Sequence, residues 1–151
     1  MRGVASVQYA ALPWRQSEQT VEILLVTTRR TRRWIVPKGW PIPGCTPSQC
    51  AAHEAFEEAG IDGDIAERPL GSFHYEKRRK TGELLPCKVD VFPMQVLHQR
   101  RTWPEKAVRT TCWCSPEEAL ERVQEPGLRR LIARFARSAG AARPLEAADL
   151  R

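Results

Sequence analysis

The chain has 151 residues, 42% hydrophobic and 28% charged, a balance that fits one globular domain and leaves no room for a second enzymatic one. Lys and Arg number 24 against 18 Asp and Glu, a net charge of +6, which favours anionic partners: nucleic acid, acidic lipid or phosphorylated small molecules. No apolar run approaches the roughly 18 to 20 residues of a bilayer span and no signal-peptide pattern is visible, so a cytoplasmic protein without a membrane partner is expected.

In chain order, VASVQYAAL and VEILLVTT are short, apolar and β-branched, and read as two strands joined by a loop that holds Pro13. WIVP reads as a third strand ending at Pro37, and Gly39, Pro41, Pro43 and Gly44 then form an irregular loop. Thr46, Pro47 and Gln49 carry an N-cap hydroxyl, a proline at the first helical position and a capping-box partner, and Gly60 is a natural stop. Between these signals Ala52, Ala55, Phe56 and Ala59 share one side of the helix, and Glu54, Glu57 and Glu58 share the opposite side. PLGSFHYEK and KVDVFPMQVL follow as strands around the turn RRKTGE, and VRTTCWC is a further strand. Ser115, Pro116 and Glu118 repeat the capping box and open a helix that Pro126 and Gly127 break. Leu128, Leu131, Ile132 and Phe135 then recur with the period of a core-facing helix, and the Ala-rich segment 139–151 reads as a loosely ordered tail beyond a domain of residues 1–138. Five cysteines without paired C-x-x-C spacing suggest reduced thiols, with Cys112 and Cys114 packing on one strand face. The order of elements implies a mixed α/β domain whose sheet is covered by helices. P-loop and G-x-G-x-x-G spacings are absent.

Three carboxylates at i, i+3 and i+4 repel one another on an isolated helix. Either solvent and cationic side chains answer them, or they share a hard divalent cation, which prefers oxygen ligands. Spacing alone leaves both readings open. The context PKGWPIPGCTPSQCAAHEAFEEAGI resembles the Nudix box: a glycine, a spacer, a glutamate, a second spacer, then Arg-Glu-apolar-any-Glu-Glu-any-Gly-apolar. Gly39, Glu54, Ala55, Glu57, Glu58, Gly60 and Ile61 match seven of its nine defining positions. Cys45 stands in place of the first glutamate and His53 in place of the arginine. In the family that arginine helps to orient the glutamates; histidine is a weaker, pH-sensitive donor. The resemblance spans residues 3–137 and is similar, less specifically, to bacterial relatives of the diphosphoinositol and diadenosine polyphosphate phosphohydrolase branch, with WPEKAVRTTCWC part of it.

The resemblance implies an α/β/α sandwich around a mixed sheet and a pyrophosphohydrolase that uses Mg²⁺, or Mn²⁺. The metal ligands would be Glu54, Glu57, Glu58 and the backbone carbonyl of Lys38, with Glu57 or Glu58 also taking the proton from the attacking water. Arg32, Arg33, Lys38, Lys77 and Arg79 belong to two basic clusters suited to the outer phosphates of a phosphorylated small-molecule substrate. Two alternatives are carried: a non-catalytic nucleotide sensor, which the changes at Cys45 and His53 would suit, and an RNA 5′-end pyrophosphohydrolase, which the positive charge would suit. No RNA-binding aromatic motif supports a nucleic-acid partner.

Overall fold

A computed structural model of the chain describes residues 6–149, with side chains through residue 139. Strand β1 (Ser6–Ser17) runs through Pro13 into a tight hairpin with β2 (Thr20–Thr27). The loop expected at Pro13 is therefore strand. Proline lacks a backbone donor, and on this edge of β1 Pro13 falls in a gap, between partners at Tyr9 and Ala10 and a β2 ladder that begins at Trp14. Two short strands follow, β3 (Trp34–Ile35) and β4 (Lys38–Gly39), the latter pairing with β1 where the sequence suggested irregular loop. Helix α1 (Pro47–Ala59) leads into β5 (Ile61–Ile65), a strand the sequence reading missed because Asp62, Gly63 and Asp64 hide its pattern.

Strands β6 (Gly71–Arg78) and β7 (Leu84–Gln99) form the long hairpin, and β8 (Thr111–Cys114) returns to pair with β2. Helix α2 (Pro116–Arg122) and helix α3 (Pro126–Asp149) close the order. The mixed sheet has the order β3-β2-β1-β7-β5, with β4 beside β1, β6 beside β7 and β8 beside β2. Only β1 and β7 are parallel among these pairs.

Both faces of the central strands are covered, which is why they read as continuous apolar runs. Successive side chains point to opposite faces. Leu12, Ile23, Leu25, Val89 and Val91 meet Leu128 and Ile132 of α3, whereas Ala11, Leu24, Val26, Phe92 and Met94 meet Ala51, Ala55 and Ala59 of α1. Small alanines let α1 lie close to the sheet. Its buried residues are Ser48, Cys50, Ala51, Ala55, Glu58 and Ala59, an arc rotated from the face expected by periodicity, and this rotation draws Glu58 inward. No helix among the described residues is long and apolar enough to cross a membrane.

Candidate active site

The acids of α1 are positioned from both ends of the helix. Thr46 and Gln49 form the reciprocal capping box, and Gly60 closes the C-terminus at φ 68° with its N–H on the carbonyl of Phe56. Glu58 is 4% exposed, Glu54 and Glu57 are half-buried, and His53 is exposed. Gly39 of β4 lies against Glu54: a Cβ at this position would come within 2.4 Å of the Glu54 carboxylate. Only glycine lets the backbone approach so closely.

The segment between β7 and β8 is stapled to the C-terminal turn of α1. Trp103 Nε1 donates to the Glu58 carbonyl (3.1 Å), Glu105 N–H to the Glu57 carbonyl (3.0 Å), and Arg100 N–H to the Gly60 carbonyl (2.8 Å). These carbonyls lack helical partners, so the loop satisfies them. Trp103 thus fastens this loop to the end of α1. Two site residues went unrecognised: Glu105 and Arg109. The Arg109 guanidinium, whose side chain is 11% exposed, reaches Glu58 Oε2 at 3.4 Å, Glu105 Oε1 at 2.7 Å and the Thr27 carbonyl at 3.0 Å. A four-residue spacing of acid and arginine was the only local signal.

Glu54, Glu58 and Glu105 line an open cleft of about 2100 Å³ together with Arg33, Lys38, Lys77, Arg79 and His53. The structure thus brings together four of the five basic residues picked from the sequence. Arg32 is the exception. With φ at 57° it turns its guanidinium away, onto the Val108 carbonyl (3.1 Å) and the Thr110 hydroxyl (2.9 Å), and pins two loops together. Glu57 likewise does not line the cleft. Lys38 donates to the Tyr75 hydroxyl (2.8 Å), which in turn donates to Gln8 Oε1 (2.7 Å), so the ammonium is held by a polar chain at the base of the cleft.

The charges in this cleft are not matched. Burial, then the neighbouring Glu54 and Glu105, push Glu58 up to about 8, against the pull of Arg109 and Lys38. Burial also raises Glu54. Lys38 is lowered to about 8 by burial and by Lys77. Glu58 Oε1 is buried without a hydrogen-bond partner, and a buried carboxylate oxygen left alone is costly. An oxygen-preferring dication supplies what this oxygen lacks, so the donor set fits such an ion. Among the described residues, no three acidic, histidine or cysteine side chains converge into a ready-made metal group. Glu57 is the acid that stands apart.

The family model described as NUDIX domain matches residues 7–135. Nudix hydrolase 12, mitochondrial, of Arabidopsis thaliana is 32% identical over 120 residues, which is 78% of this chain and 59% of the relative. Diphosphoinositol polyphosphate phosphohydrolase 3-beta of Bos taurus is 33% identical over 112 residues, 72% of this chain and 64% of the relative. The chain thus spans less than two thirds of either protein. Among solved structures, a C. elegans Ap4A hydrolase is similar with a TM-score of 0.61 and 21% identity, over 87% of this chain and 96% of that one. A NUDIX hydrolase from Nitrosomonas europaea gives a TM-score of 0.70 at 18% identity, over 90% and 91%. Both likenesses concern the fold. With the family model matched over residues 7–135 and Gly39, Glu54 and Glu58 of the box lining one cleft, the chain belongs to the Nudix hydrolase family.

Proposed function

We propose that the chain hydrolyses phosphoanhydride bonds in nucleoside or dinucleoside polyphosphates or in diphosphoinositol polyphosphates. The supporting observation is the partnerless Glu58 Oε1 at the acidic base of a cleft whose walls carry Arg33, Lys38, Lys77 and Arg79. Glu54, Glu58 and the Lys38 carbonyl would hold Mg²⁺ or Mn²⁺, with Glu57 joining them by a change of rotamer. Such an ion neutralises diphosphate oxygens on which charge develops during phosphoryl transfer. Glu57 or Glu58 takes the proton from the attacking water, while the basic walls hold the outer phosphates. Arg32 is left out of this binding set because its guanidinium is occupied between loops. Trp40, Leu84 and Val108 are exposed apolar side chains that line the same cleft, which favours a substrate bearing a base as well as phosphates.

A panel of phosphoanhydrides incubated with Mg²⁺ or Mn²⁺ and read by product mass tests this directly. Turnover is expected, and Glu58→Gln should reduce it at least about 100-fold while the circular dichroism spectrum is unchanged. Saturable nucleotide binding without turnover under either metal would establish the sensor instead. Selective release of pyrophosphate from RNA 5′ ends, with steep salt dependence, would establish the RNA enzyme.

A further inference from the structure

We infer that Arg109 is the positioning residue of the acidic cluster, holding one oxygen of Glu58 from the β7–β8 loop so that the other is presented for a divalent cation. The inference rests on the metal-site reading above and adds to it a residue outside the box. Its basis is geometric. Nε donates to Glu105 Oε1 (2.7 Å) and Nη1 to the Thr27 carbonyl (3.0 Å), while Nη2 faces Glu58 Oε2 as an ion pair at 3.4 Å. The fork is therefore fixed from the end of β2 and from its own loop, independently of Glu58. A planar donor fixed on two sides imposes an orientation on the carboxylate it meets at the third.

The consequence for Glu58 is asymmetric. Oε2 is engaged and Oε1 is buried with no partner. His53, at the box position that resemblance gives to arginine, is exposed and makes no side-chain hydrogen bond among the described residues. The orienting cation in this chain thus comes from another element, and that element is itself fastened to α1 through Trp103 and Glu105. These bonds join loop to helix and hold the fork and the carboxylate in register.

The test uses the full chain, Mn²⁺ alone and its electron paramagnetic resonance signal, so no turnover is needed. Arg109→Lys preserves the charge, and hence the repulsion felt by the cation, but removes the planar fork. Its Mn²⁺ affinity should fall about tenfold or more, the scale expected when a residue that orients a metal ligand is lost. In a Glu58→Gln background the same substitution should change the affinity less than about twofold, because the residue through which Arg109 acts has been removed. An equal loss in both backgrounds would mean a general structural effect and overturn the inference. So would an Arg109→Lys affinity equal to that of the unsubstituted chain. If the unsubstituted chain gives no Mn²⁺ titration, the metal-site reading falls and takes this inference with it. Recovery of affinity on adding His53→Arg to Arg109→Lys would support the exchange of roles directly.

Discussion

Gly39 shows how little room the site allows. A methyl group there meets the end of a flexible side chain rather than backbone, so Gly39→Ala should fold but displace the Glu54 carboxylate. Misplacing a reacting group by about an ångström costs on the order of 100-fold in rate, and that loss is expected with the melting temperature nearly unchanged. Steady-state kinetics beside a thermal melt checks it; a variant with full activity would show that Glu54 is not needed where it stands. Glu58 leads to a pH prediction for the metal-free protein. Burial pushes its carboxyl from the ordinary 4.5 up to about 8 in the folded state. The folded state keeps a proton that the unfolded chain releases, so stability falls as pH rises between these values and levels off above about 8. Lys38, lowered from 10.5 to about 8, acts with the opposite sign in the window above. Melts in EDTA should therefore show the wild type losing stability from pH 5 to 8 and Glu58→Gln losing much less. Parallel curves would sink the assignment.

At the scale of elements, the β6–β7 hairpin carries Lys77, Arg78, Arg79 and Lys80 above the acidic base of the cleft, and its turn is set by Gly82 at φ 90°. Arg79 lies 3.9 Å from Glu83, an exposed pair of little strength, so the cation stays available to a ligand. Charge reversal by Lys77→Glu with Arg79→Glu should raise the KM more for longer polyphosphates than for short ones, at constant stability. Equal effects on a diphosphate and a tetraphosphate would remove the hairpin from the binding surface. The sequence had already placed this turn and both of its flanking strands. It could not place the β7–β8 loop, because Trp103, Glu105 and Arg109 acquire their meaning from carbonyls and carboxylates on α1, more than forty residues earlier.

At the scale of the molecule, one sheet separates two cores, and the α1 side sets the depth of the site. Phe92 is buried to 2% exposure on that side, with its ring edge-on to Tyr9 at 6.3 Å. Phe92→Ala should cost about 3 to 5 kcal/mol in urea unfolding and lower metal affinity by loosening the bed of α1. A cost under about 1 kcal/mol would mean the site does not depend on this packing. Local signals determined most of the secondary structure: the capping boxes at Thr46 and Ser115, the stop at Gly60 and the turn between β6 and β7 are short-range physics that the sequence states outright. The box residues Gly39, Glu54, Glu57, Glu58 and Gly60 were legible through the resemblance they carry, since the spacing of the three acids alone fits a solvated helix face as well. Tertiary structure alone decided the rest. Contact with the sheet rotated α1 until Glu58 was buried, the register of β1 on β7 carried Pro13 into a strand, and Arg32 was drawn into a loop contact away from the cleft. Arg109 became the partner of Glu58 only because folding brings residues 58 and 109 within 3.4 Å, a proximity that no local pattern encodes.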